Sequence, residues 1–238
     1  LEQSPATVYR VLTTLAQREI VELDPGSQTW HVGAGAFRIG SAFLRRTNLS
    51  ERARPFLQRL MQSTGETANL AVRHGDAVLF VNQVETHASI RAFFPPGTIS
   101  PMHASGVGKA LLSAMEDDEV RDLLGDAPLE TFTANTCASL DRLLADLREA
   151  RGSGYAVDDE ERNAGMRCVA APILNADGVA VAGLSVSGPA SRVGREDLGR
   201  IGASVVAAAR GLSAAVGHAA SGTDPAANEP DARDGNPQ

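Results

Sequence analysis

Val8, Val11, Leu12 and Leu15 recur at i, i+3, i+4 and i+7, the spacing of one apolar stripe down an amphipathic helix. Ser4 and Pro5 stand ahead of it, an N-cap with proline at the first helical position. The other side carries Ala6, Arg10, Thr13 and Gln17, with Thr7 near the leading end. Residues 20–23 and 29–32 then read as two strands across the turn Asp24-Pro25-Gly26-Ser27-Gln28. Phe37, Gly40, Phe43 and Leu44 mark a short helix. A second begins at Ser50, with Ala53, Phe56, Leu57, Leu60 and Met61 on its apolar face and Pro55 expected to bend or loosen its start.

From Thr67 the pattern turns to strands. Residues 68–72 and 78–81 are β-rich runs split by His74-Gly75-Asp76, a hairpin signal. Residues 89–94 read as a third strand, and Pro95, Pro96, Gly97 and Pro101 forbid regular structure after it. Helices are predicted from residue 105 and near 117–124 and 139–151. Three more strands fall at 155–158, 168–173 and 179–186. Leu198, Ile201, Val205, Leu212 and Val216 line a closing helix. Antiparallel strands with helices gathered on them make this an α+β chain.

Helix plus hairpin is the second half of a winged helix-turn-helix, so the chain reads as beginning inside that motif, its first helices absent or cleaved. Small polar residues and one Arg on an exposed helix face suit a major-groove reader, although an ordinary surface helix shows the same pattern. Charge adds to the first reading. Residues 1–60 hold eight Arg against five acids, a net +3 within a chain of net charge -7, so a basic end sits on an acidic body. The final residues, 219–238, are rich in Pro, Asp, Asn and Gly and are expected to be disordered. No apolar run approaches the roughly 20 residues of a membrane span. Cys137 and Cys168 fit neither a zinc motif nor a disulfide framework, and a reducing cytoplasm is the simplest setting.

The stretch Met102-His103-Ala104-Ser105-Gly106-Val107-Gly108-Lys109 carries the chemistry. Ser105 is a candidate N-cap, and the unpartnered N–H groups of Gly106, Val107 and Gly108 would hold a small anion at the positive end of the helix. A phosphate loop is excluded, because that motif needs Gly where His103 stands and Ser or Thr where Ala110 stands. Ser185 and Ser187 alternate around Val186, which turns both hydroxyls to one face of a strand. Either serine could equally face solvent, Asp158 could be one more solvated acid beside Asp159, Glu160 and Glu161, and Cys168 a small core residue.

The segment SPATVYRVLTTLAQREIVELDPGSQTWHVGAGAF resembles the recognition helix and wing of the IclR family of bacterial transcriptional regulators. The likeness continues through GETANLAVRHGDAVLFVNQVE, the stretch from Met102, YAVDDEERNAGMRCVAAPI and GLSVSGPASR, over roughly residues 4–216. It implies a partial winged helix-turn-helix (1–35), linker helices that contribute to dimerisation (36–66) and a GAF-like effector-binding domain (67–218). It also implies a palindromic double-stranded DNA operator, bound by a homodimer or homotetramer through Ser4, Thr7, Arg10, Thr13 and Gln17. In the subgroup that includes the allantoin-utilisation repressor the inducer is glyoxylate. The matching pocket positions are Gly106, Val107, Asp158, Cys168, Ser185 and Ser187. Val107 departs from the Ala common in that subgroup. Amides of residues 106 and 107 with the serine hydroxyls would take the carboxylate, and Asp158 and Cys168 would face the aldehyde or its hydrate. An alternative is a ligand-binding or thiol-hydrolase domain with Cys168 reactive, but no spacing enforces a contact with His103. The acids at 158–161 lack EF-hand spacing, and neither metal nor cofactor is expected.

Overall fold

The computed structural model describes residues 3–125 and 127–217, with the backbone alone for 43–47. The side chains of Phe43 and Leu44 and the expected disorder of 219–238 therefore lie outside the described residues. α1 (Pro5–Ala16) opens where expected, with the Ser4 hydroxyl accepting from the Thr7 N–H at 3.2 Å. It leads into the hairpin β1 (Val21–Asp24) and β2 (Thr29–Val32), in register from Val21 opposite Val32 to Asp24 opposite Thr29. No described residue of α1 is buried: Val8, Leu12 and Leu15 are half-buried and Val11 is 53% exposed. α2 (Ala34–Thr47) and α3 (Leu49–Thr64) follow, and α3 runs on through Pro55, which sits on its exposed side.

The body is a six-stranded antiparallel sheet in the order β5-β4-β3-β8-β7-β6. Its strands are β3 (Thr67–His74), β4 (Ala77–Val84), β5 (Ile99–Pro101), β6 (Ala156–Asp159), β7 (Met166–Leu174) and β8 (Ala180–Pro189). Strand alternation gives it two unlike faces. One presents Leu70, Val169, Ala171, Ile173, Leu184 and Val186 to Leu57 and Leu60 of α3 and to Ile201, Val205 and Leu212 of α7 (Leu198–Ala215). The other presents Ala71, Phe80, Ala156 and Ala170 to α4 (Gly106–Ser113), α5 (Asp117–Leu124) and α6 (Leu140–Ser153). The sheet is thus covered on both sides, the α+β arrangement of a GAF-like domain.

Two expectations are corrected. Residues 89–94 form no strand, because their backbone acceptors go to side chains instead of a ladder. Ala92 O accepts from Thr67 Oγ1 at 3.1 Å and Ile90 O from Arg192 Nη2 at 2.8 Å. The third strand is β5, and Pro101 ends it, opposite Ala77 on the sheet edge, a place where a missing N–H costs nothing. Gly97, at φ +100°, turns the chain back onto that edge.

The approach of α4 to the single turn ahead of it, Met102–Ala104, has no slack. A Cβ on Gly108 would run into the Met102 backbone, whereas one on Gly152, exposed in α6, would meet nothing within 4 Å. Gly108→Ala should therefore cost on the order of 3 kcal/mol, and Gly152→Ala should be neutral or stabilise by up to about 1 kcal/mol. Urea unfolding of the two variants in parallel measures the contrast.

Candidate functional site

β6, β7 and β8 lie side by side in a register that places Asp158 opposite Cys168 and Cys168 opposite Ser187. One step along the same face, Ala170 stands opposite Ser185, which stands opposite Asn69 of β3. α4 meets this row end-on. Ser105 caps it, its hydroxyl accepting from the Gly108 N–H at 3.1 Å. A Cβ at Gly106 would come within 2.7 Å of Cys168 Sγ, so only glycine allows the helix start to touch the sheet here. The Val107 side chain packs toward Gly183, where a Cβ would lie 2.7 Å from Cγ1; the added bulk of valine is taken up there.

Gly106, Val107, Asp158, Cys168 and Ser187 line one cavity of about 20 Å³, closed by Ser100, Ser105, Arg162 and the stacked rings of Phe80 and Phe94, whose centroids are 5.0 Å apart. That is room for about one water, so a larger guest must displace a wall. Ser185 is not in the wall. It lies behind Ser187, and both hydroxyls are reached by Asn69 Nδ2, at 3.4 and 3.3 Å, while Gln83 Nε2 donates to Asn69 Oδ1 at 3.0 Å. Five of the six expected ligand residues thus surround one space, and the sixth is joined to Ser187 through Asn69.

Burial dominates the electrostatics. The Asp158 carboxyl is pushed up from 3.8 to about 7, mainly by desolvation and also by the neighbouring charge of Glu161, against the Glu161 N–H and Lys109. Its Oδ1 accepts from the Glu161 N–H at 2.7 Å and from the Arg162 N–H at 3.4 Å. The Cys168 thiol is pushed up to about 11 by burial and by the charge of Asp158, and the Ser187 and Ser185 hydroxyls and the Gly106 N–H offset only part of this. Such a thiol stays protonated at neutral pH and is a poor nucleophile. His103 Nε2 is 2.9 Å from Glu130 O, and its ring stacks on Phe132.

The residues that sequence reasoning passed over are Asn69, Lys109 and Glu161. Asn69 stands alone among Ala68, Leu70 and Ala71 in a buried strand, and a polar residue in such a run must find partners. Lys109 has no local signal beyond its place in the excluded phosphate loop. It is 4% exposed and paired with Glu161, itself 5% exposed.

At the other end of the chain, Ser4, Thr7, Arg10, Thr13 and Gln17 are all exposed along α1 and its C-cap. The Thr13 hydroxyl donates back to Tyr9 O at 2.9 Å. The Tyr9 ring meets Trp30 of the hairpin edge-on, centroids 6.3 Å apart.

A profile described as "Bacterial transcriptional regulator IclR C-terminal" matches residues 41–214. The chain belongs to the IclR family of bacterial transcriptional regulators. It is 54% identical to the HTH-type transcriptional regulator BhcR of Paracoccus denitrificans over 213 residues, covering 90% of this chain and 76% of that protein. It is 37% identical to the HTH-type transcriptional repressor AllR of Escherichia coli K12 over 212 residues, 89% of this chain and 78% of the other. Among solved structures it resembles the IclR protein of Thermotoga maritima, with TM-score 0.78 and 28% identity over 91% of this chain and 87% of that one. An IclR-family regulator from Alicyclobacillus acidocaldarius matches with TM-score 0.80 and 26% identity over 90% and 86%. These IclR relatives are regulators and not enzymes, which together with the protonated thiol sets aside the hydrolase alternative. Among the described residues no helix is long and apolar enough to cross a membrane.

Asp158 gives the site a pH signature. Its folded value lies above its unfolded one, so the folded chain binds the extra proton between them, and the stability this contributes falls as pH rises from about 4 through about 7. Asp158→Asn, neutral throughout, should gain on the natural chain across that window by on the order of 3 kcal/mol and level off near pH 8. Denaturant unfolding at pH 4.5, 6, 7 and 8.5 checks this.

Proposed function

We propose that the chain is a DNA-binding repressor whose hold on its operator is relieved by a small 2-oxo acid, with glyoxylate the best fit. The observation that carries this reading is the meeting of the α4 amide end with Asp158, Cys168 and Ser187 around one small cavity, in a chain whose family is regulatory. The amides of Gly106 and Val107 and the serine hydroxyls suit a carboxylate. Asp158 and the Cys168 thiol suit a carbonyl or its hydrate, with Asp158 either accepting from a hydrate hydroxyl or itself protonated. The tightness of the space favours a ligand of very few heavy atoms.

The DNA half of the reading rests on α1 and the β1–β2 wing. Arg10, with Ser4, Thr7, Thr13 and Gln17 on the exposed face, would enter a major groove, and two copies would meet a palindromic operator. Residues 36–66 would link this end to the effector domain, 67–218, and contribute to a homodimer or homotetramer working in the cytoplasm. Ligand would act by binding one quaternary arrangement better than another, since only differential affinity shifts a population. The repressor sign follows AllR, which is named a repressor.

Two measurements test the two halves. Arg10→Ala in the natural full-length protein should weaken binding to its own upstream region at least tenfold and flatten the salt dependence. Unchanged affinity across several salt concentrations removes α1 from the interface. Calorimetry with glyoxylate, pyruvate and glycolate should show glyoxylate tightest, with Ser187→Ala losing about tenfold and Ser185→Ala less. Equal affinities, or release of operator by none of the three, rejects the 2-oxo acid.

A further inference from the structure

The two halves of the cavity come from distant parts of the chain, and one buried ion pair joins them. Gly106 and Val107 belong to the start of α4; Asp158 belongs to β6, just ahead of the turn that follows it. Lys109 lies one helical turn beyond Gly106, and its ammonium pairs with Glu161 Oε1. Glu161 is also the residue whose N–H holds Asp158 Oδ1 at 2.7 Å. The same turn is gripped from a second side. Thr136 Oγ1 donates to Glu161 O at 2.7 Å, Thr133 Oγ1 to Glu160 O at 2.8 Å, and Asn135 Nδ2 to Asp159 O at 3.1 Å.

Lysine and glutamate are seldom buried together without purpose, because desolvating both offsets most of their attraction. Here the pair is not even complete: Glu161 Oε2 is buried with no hydrogen-bond partner among the described residues. An apolar pair of similar volume often fills such a space with no loss of stability, so stability alone does not account for the charges. We propose that Lys109 is a positioning residue of the effector site: through Glu161 it ties the amide end of α4 to the turn whose N–H groups hold Asp158, and so sets the aim and charge of that carboxyl. This rests on the reading of the cavity as an effector site.

The groups facing the pair are few. Asp158 is faced by Glu161 and Arg162 of the turn after β6, Cys168 of β7 and Lys109 of α4. Lys109 is faced by Glu161 and, at 3.7 Å, by Asp146 of α6, and the buried Cys137 thiol feels the charges of all three. A cleft of about 540 Å³ reaches Lys109 and Glu161 from the far side, between α6 and β6, and contains none of Gly106, Val107, Cys168 or the two serines. The pair lines that cleft, and its neighbours Asp158 and Arg162 line the small cavity.

Lys109 and Glu161 act on Asp158 with opposite sign, and this gives a signature that loss of packing does not share. Carboxyl carbon NMR should follow Asp158 in the ligand-free full chain. Lys109→Met should move its midpoint up by about one pH unit and Glu161→Gln should move it down, while Lys109→Arg should leave it within a few tenths. At pH 6, where Asp158 is mostly protonated in the natural chain and in both Lys109 variants, Lys109→Met should weaken glyoxylate binding at least tenfold and Lys109→Arg should restore it to within about threefold. An unmoved Asp158, shifts of the same sign in both neutralising variants, or glyoxylate affinity at pH 6 unchanged in Lys109→Met overturns the assignment. If Lys109→Met does not fold, the Glu161→Gln shift and the Lys109→Arg rescue decide it. If glyoxylate binds none of the proteins, the effector reading fails, and the Asp158 titration still decides the tie.

Discussion

The contact between the first turn of α4 and the β7–β8 pair sets the position of everything else in the site. Gly106 gives up its side chain to Cys168, Gly108 to the Met102 backbone, and Gly183 to Val107. Each absence lets main chain come closer than a Cβ would permit. The result is that the first amides of a helix, a ready uncharged seat for an anion, end against the centre of a sheet and not in water. There they meet Asp158, Cys168 and Ser187, which the ladder register has already set in a row. A helix start held away from solvent in this way keeps its field, because little water remains to screen it.

The unlike faces of the sheet explain why the polar residues can be spared for this purpose. The face toward α3 and α7 is aliphatic except at the end where Arg167 and Asp159 pair, and makes the larger core. The face toward α4 carries Thr67, Asn69, Asp158, Cys168, Ser185 and Ser187 among its apolar residues. Every buried polar group there must find a partner, and the Gln83–Asn69–serine chain supplies several. Charges taken inside follow the same rule. Arg167 is held by Asp159 at 2.6 Å, by Glu160 at 3.3 Å and by the carbonyl of Ala190 at 3.2 Å. Glu66 is held by both nitrogens of an Arg192 fork and presses on Gly188. Against these, the bare oxygen of Glu161 stands out.

The elements that could be read from the chain were those whose signals are local. The Ser4 and Ser105 caps, the Pro5 helix start, the turn before Thr29 and the alternation of Ser185 with Ser187 depend on neighbours within a few residues. The segment 89–94 misled because its composition suits a strand while its acceptors had been claimed by Thr67 and Arg192, residues far away in sequence. Pro101 misled in the opposite direction, since a proline is tolerated at the end of an edge strand. Asn69 had a signal, a lone amide in an apolar run, but its partners lie 116 and 118 positions on. Lys109 had none, because burial of a long cationic side chain on a short helix is invisible to periodicity.

By itself the sequence determined the helix starts, the hairpins, the α+β class and the kinds of group available to a ligand, because backbone sterics and hydrogen bonding between near neighbours decide those. It also determined membership of a regulatory family. Which groups meet was decided by packing. Register across β6, β7, β8 and β3 chose the row of side chains, and three close glycine contacts chose where α4 ends against it. Burial then raised Asp158 and Cys168 far above their ordinary values. Desolvation is a property of the whole fold, and no residue carries it before the chain closes around it.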